Sequence, residues 1–114
     1  GEPPITLELR QAAAGVLVNL STDSSGLVAL ASSPSCLETL TALLGHKDRR
    51  LCRYSATTLC NAATYPQLHA GLLQRPAALD SIVRALLEDP DRVNKACYLD
   101  IVRELTYDAS RGAP

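Results

Sequence analysis

Leu9-Arg10-Gln11-Ala12-Ala13-Ala14-Gly15-Val16-Leu17-Val18-Asn19-Leu20-Ser21 decides the fold, because the chain writes this stretch again. Shifted by 42 residues it lands on Leu51 to Ala63 and pairs Leu9 with Leu51, Ala14 with Ala56, Leu17 with Leu59 and Asn19 with Asn61. A further shift of 43 reaches Asn94 to Thr106, where Ala56 meets Leu99, Leu59 meets Val102, Asn61 meets Glu104 and Ala62 meets Leu105. Self-similarity at a period in this range is the mark of a repeat architecture.

A second element repeats between the first ones. Cys36 to Leu44 shifted by 43 falls on Leu79 to Leu87, with apolar residues at 36, 37, 40, 43 and 44 and again at 79, 82, 83, 86 and 87. Those spacings are helical and show no strict alternation. Each of these helices stops at a polar break, Gly45-His46-Lys47-Asp48 or Glu88-Asp89-Pro90-Asp91, and Asp48 and Asp91 stand where caps of the following long helices belong. A shorter helical segment precedes each pair: Leu27 to Ala31, ended by Ser32-Ser33-Pro34, and Leu68 to Leu73, ended by Arg75-Pro76. The unit is short helix, middle helix, long helix.

Composition agrees. Of 114 residues 46% are hydrophobic and 20% charged, enough for one domain and too few for a second core. Leu (20) and Ala (16) dominate, while Phe, Trp and Met are absent, which favours closely packed helices over strands. No apolar run approaches the roughly 18 to 20 residues of a membrane span. A net charge of −1 supplies no global field for nucleic acid or anionic lipid. Cys36, Cys52, Cys60 and Cys97 form no C-x-x-C pair, and neither His46 nor His69 stands at zinc-ligand spacing from them. They read as reduced thiols packed as small apolar residues, hence a cytoplasmic protein, with the nucleus also open.

The run Arg10 to Ser21, with its small residues and closing Asn-Leu-Ser, resembles the third helix of the armadillo repeat family. Tyr54 to Ala63 is a looser copy, and the last copy departs with Glu104 in place of Asn. The resemblance covers roughly residues 7 to 108 and implies an all-α, right-handed α-solenoid of three-helix repeats; HEAT-like repeats, usually of two helices, are the alternative. On this reading 5–22 is the third helix of an incomplete repeat, 25–64 and 66–108 are repeats, and 109–114 is a polar tail. The first unit lacks its opening helices, so the chain reads as part of a longer array.

In that family the third helices line a concave groove. The resemblance implies that Asn19 and Asn61 form a ladder of amides able to pair with the N–H and C=O of an extended peptide. The alternative is that each Asn ties down its own helix end. The Trp that shelves lysines in the family's nuclear-import receptors is absent: Gly15, Thr57 and Asp100 occupy those positions. Gln11, Arg53, Tyr54, Thr57 and Glu104 neighbour the Asn rows and complete the candidate groove. Lys47, Arg49 and Arg50 form a basic spot that reads either as a solvated helix start or as a docking patch for an acidic partner segment.

Catalytic signatures are missing: no phosphate-binding loop, nucleophile elbow or H-E-x-x-H. His46 reads as surface, Glu88, Asp89 and Asp91 as a solvated break, and Tyr98 and Tyr107 as packing and rim residues. The expectation is a non-catalytic scaffold or adaptor that binds other proteins. It needs no cofactor or metal and takes no small-molecule substrate, membrane or nucleic acid. The rival readings are a purely structural repeat block and a helical-repeat nucleic-acid binder.

Overall fold

The computed structural model describes residues 3–33 and 35–111. They form seven α-helices and no strand: α1 (Pro4–Leu20), α2 (Ser24–Ala31), α3 (Cys36–Leu43), α4 (Arg49–Ala62), α5 (Pro66–Leu73), α6 (Pro76–Glu88) and α7 (Arg92–Arg111). The chain is therefore all-α, arranged as one long helix followed by two groups of short, middle and long helices.

Local chemistry sets the boundaries. Prolines open α1, α5 and α6, where a missing N–H costs nothing because the first turn leaves it unpaired anyway. Pro76 therefore ends one helix by starting the next; Pro34, assigned the stopping role before α3, lies outside the described residues. Asp48 caps α4 by accepting the Leu51 N–H at 3.0 Å, and Asp91 caps α7 by accepting the Val93 and Asn94 N–H groups at 2.8 and 3.1 Å. Asp23 does the same for α2 through the Gly26 N–H at 2.8 Å, so α2 starts at Ser24, earlier than its apolar run. Gly26 is required there: a Cβ would sit 1.7 Å from the Leu20 carbonyl oxygen. Residues 109–111 of the expected polar tail belong to α7, and residues 112–114 lie outside the described region.

The long helices pack in series, α4 against both α1 and α7. The middle helices α3 and α6 pack on each other and on α4 and α7 respectively, and α5 touches both α3 and α6. One core runs through both groups, from Leu27, Leu37 and Leu40 through Leu59 and Leu72 to Ile82, Tyr98 and Ile101. The repeat shows in burial. Leu51, Ser55, Thr58 and Ala62 of α4 shifted by 43 become Asn94, Tyr98, Ile101 and Leu105 of α7, and all eight are buried. Among the described residues no single helix is long and apolar enough to cross a membrane.

Candidate protein-binding groove

A groove of about 1290 Å³ lies across the C-terminal end of α4. The α1–α2 corner forms one wall with Ser21 to Ser24 and Leu27; Cys60, Asn61 and Thr64 contribute from α4 and its end; α7 supplies the far wall with Asp100, Val102 to Glu104, Thr106 and Tyr107. On α7 the lining runs as far as Tyr107, the equivalent of Thr64 just past the end of α4.

Asn61 and Glu104, one repeat apart, both face this groove. One Asn61 amide N–H is spent on Ser21 Oγ at 2.9 Å, and Ser21 in turn donates to the Val18 carbonyl at 2.7 Å. The Asn side chains do not cap their own helices. That task falls to the equivalent threonines, with Thr22 Oγ1 donating to the Asn19 carbonyl at 2.7 Å and Thr64 Oγ1 to the Asn61 carbonyl at 2.8 Å. Asn19 is exposed but does not line the groove, so the two amides do not share one surface pocket.

Charge in the groove is mainly negative. Asp23 is held below the usual carboxylate range by the Gly26 N–H and then by the Ser25 hydroxyl. Asp100 pairs with Arg103 at 3.3 Å on the exposed face of α7, while Glu104 is exposed and has no ion pair among the described residues. Burial, with added repulsion from Cys97 and Asp100, pushes the Cys60 thiol up to about 11. It is therefore a neutral wall group and no nucleophile at neutral pH. The four cysteines are free, Cys52 buried and the rest half-buried. No group of three or more His, Cys, Asp or Glu among the described residues could hold a metal ion.

Two expected groove residues are occupied elsewhere. Arg53 donates to Asn94 Oδ1 at 2.7 Å and to Asp91 at 2.6 Å, and Gln11 donates to both oxygens of Asp48 at 3.2 and 3.1 Å. These are the same contact made twice. A polar side chain in one long helix grips the N-cap aspartate of the next, at positions that the 42- and 43-residue shifts superimpose. These donors join one repeat to the next. Tyr54 is half-buried, its ring 3.7 Å from where a Cβ on Gly15 would sit, and Thr57 Oγ1 donates to the Arg53 carbonyl at 2.9 Å. Neither lines the groove.

The basic spot divides. Arg49 turns inward to Asp89 at 2.5 Å; Lys47 is exposed beside it in a hollow of about 350 Å³ shared with His46 and Arg84; Arg50 is exposed outside that hollow.

Asp89 overturns its reading as a solvated break, for its side chain is only 3% exposed. Its carboxylate accepts from Tyr98 Oη at 2.8 Å, Asn94 Nδ2 at 3.1 Å, Cys52 Sγ at 3.3 Å and the Asp91 N–H at 2.9 Å, besides Arg49. Burial would raise the acid, but these donors outweigh it and hold the carboxyl well below the usual range. Burial drives the Tyr98 phenol far upward. The cluster staples the α6–α7 turn to α4. One signal for it was available: Asp89 is the equivalent of His46, and each accepts the N–H two residues on, His46 Nδ1 from Asp48 at 2.9 Å. His46 is thus a half-buried turn acceptor, and His69 is buried, its Nδ1 2.9 Å from the Ala63 carbonyl oxygen. Tyr98 is packing as expected, and Tyr107 stands exposed at the groove rim.

Comparison of the chain with protein-family models, with curated proteins and with solved structures finds no match.

Proposed function

We propose that this chain is a non-catalytic protein-binding module of armadillo type, a right-handed α-solenoid, whose groove across the end of α4 takes an extended segment of another protein. The observation that carries the proposal is the pairing of repeat-equivalent Asn61 and Glu104 in one groove, while threonine hydroxyls cap the neighbouring helix end and leave the Asn61 side chain free for more than one role. An amide that keeps one N–H and its carbonyl can serve both polarities of a peptide backbone. Three helices per unit favour the armadillo reading over two-helix HEAT units. Asp23, Asp100 and Glu104 would repel phosphate, which weighs against a nucleic-acid partner. Four free thiols suit a reducing compartment, the cytoplasm or nucleus.

Peptide-display selection against the immobilised 114-residue chain tests the proposal. Selected peptides should lose binding to Asn61→Ala and Glu104→Lys and keep it with Arg84→Ala, which alters the other hollow. Circular dichroism confirms that each variant is folded. Peptides that bind all three variants equally, or a selection that enriches nothing, would refute the groove. The Asn61–Ser21 bond favours the second reading, a structural repeat block, and that outcome would select it.

A further inference from the structure

The groove across the end of α4 is lopsided in charge. Asp23, Asp100 and Glu104 line it against a single cation, Arg103, and all four are exposed. Arg103 is already committed to Asp100 at 3.3 Å. Asp23 uses only Oδ1 within the chain, accepting the Gly26 N–H at 2.8 Å and the Ser25 hydroxyl at 3.0 Å; its Oδ2 has no hydrogen-bond partner among the described residues. Glu104, on the opposite wall, has neither a hydrogen bond nor an ion pair among the described residues. Two carboxylates from facing walls are thus left to water, and the lining near them includes the buried or half-buried apolar groups Leu27, Cys60 and Val102. The whole chain carries only −1, so this excess of acid belongs to the groove and not to the surface at large.

We propose that the segment this groove takes is basic: an extended stretch of a different protein that sets an apolar side chain against Leu27, Cys60 and Val102 and carries Lys or Arg toward Asp23 and Glu104. The inference rests on the reading of the groove as a peptide site and adds the chemistry of its occupant. Lys and Arg suit such a lining because their apolar stems lie along it while their charged heads reach the exposed acids.

Charge complementarity selects this occupant over the others. An acidic segment would bring its carboxylates up to two that nothing neutralises. A neutral segment would fill the apolar lining and gain nothing from either acid. A second copy of the chain is a poor source of the segment: its densest run of cations, 47–53, opens the helix α4, and Arg49 and Arg53 within it are bound to Asp89 and Asp91. Because both acids are exposed, each contact with a cation should contribute about 1.5- to 5-fold in affinity and fade as salt is added.

Selection of random displayed peptides on the whole chain, followed by fluorescence anisotropy of the enriched peptides at about 50 mM and about 300 mM salt, tests this. The enriched peptides should hold more Lys and Arg than Asp and Glu, and should bind more weakly at the higher salt. Asp23→Asn, which keeps an oxygen for the Gly26 N–H, and Glu104→Gln should each weaken them about 1.5- to 5-fold. Glu88→Gln, an exposed acid in the other hollow, should change nothing. Glu104→Lys should bind these peptides no better than copies in which Gln replaces the cations. Neutral or acidic peptides that Asn61→Ala nonetheless releases would overturn the basic partner and leave the groove standing. Basic peptides held equally by the native chain, Asp23→Asn, Glu104→Gln and Asn61→Ala would overturn both readings, as would a selection that enriches nothing.

Discussion

Replacing Asp89 by Ala removes the one acceptor shared by Tyr98, Asn94, Cys52 and Arg49. Tyr98 and Asn94 are each 0% exposed, so neither can turn to water. Each unsatisfied buried donor costs about 1–3 kcal/mol. The Arg49 side chain is 51% exposed and recovers its hydration, adding little. The expected loss is about 3–4 kcal/mol, which for a chain of this size lowers Tm by about 12–16 °C. Thermal unfolding followed by circular dichroism at neutral pH reads this directly. Tyr98→Phe should cost only about 1–1.5 kcal/mol, because Asp89 keeps its other donors. The double variant should cost less than the two single losses together, since no phenol is left stranded. Asp89→Asn adds a pH test. A carboxyl depressed in the folded state contributes stability that is complete above the unfolded value of about 3.9 and vanishes as pH falls through the lower folded value. The gap between the native chain and Asp89→Asn should thus be full at pH 7 and narrow below about pH 4. An Asp89→Ala chain within about 0.5 kcal/mol of the native one would place Asp89 in solvent and refute the reasoning.

Other outcomes follow from single contacts. Gly26→Ala drives a methyl group into the Leu20 carbonyl oxygen and should cost at least about 2–3 kcal/mol in urea unfolding; a neutral result would remove the close α1–α2 corner. Arg53→Ala strands the buried Asn94 carbonyl oxygen and should cost about 1–2 kcal/mol, and Arg53→Lys should not restore it, because a single ammonium cannot span Asn94 and Asp91 as the guanidinium does. Alkylation of Cys60, followed by mass spectrometry, should be slow at pH 7 and accelerate as pH climbs toward about 11; rapid labelling at neutral pH would show an activated thiolate instead.

The repeat was legible because its markers are local. Asp48 and Asp91 declare helix starts, and the Leu and Ala spacing declares helical faces before any tertiary contact is known. Asn61 and Glu104 came together in the groove because repeat-equivalent positions share a face. Where the Gln11 and Arg53 donors go is something local pattern cannot supply. Their partners are caps of the next unit, 37 and 38 residues away, so a polar residue that looks outward-facing is consumed by a junction. Asp89 misled similarly: an acid beside Pro90 in a polar break reads as solvated until α4 and α7 close over it. The start of α2 was hidden because Ser24 and Ser25 carry no apolar signal, and only the Asp23 cap fixes it.

The central claim is that α4 lies between α1 and α7, so that one contact recurs from unit to unit. Nuclear Overhauser contacts from α4 side chains test it most directly. Cross-peaks are expected from Tyr54 to Gly15 and from Asn61 to Ser21 on one side, together with Cys52 to Tyr98 and Arg53 to Asn94 on the other. Contacts from α4 to only one neighbour, or α1 packed directly on α7, would contradict it.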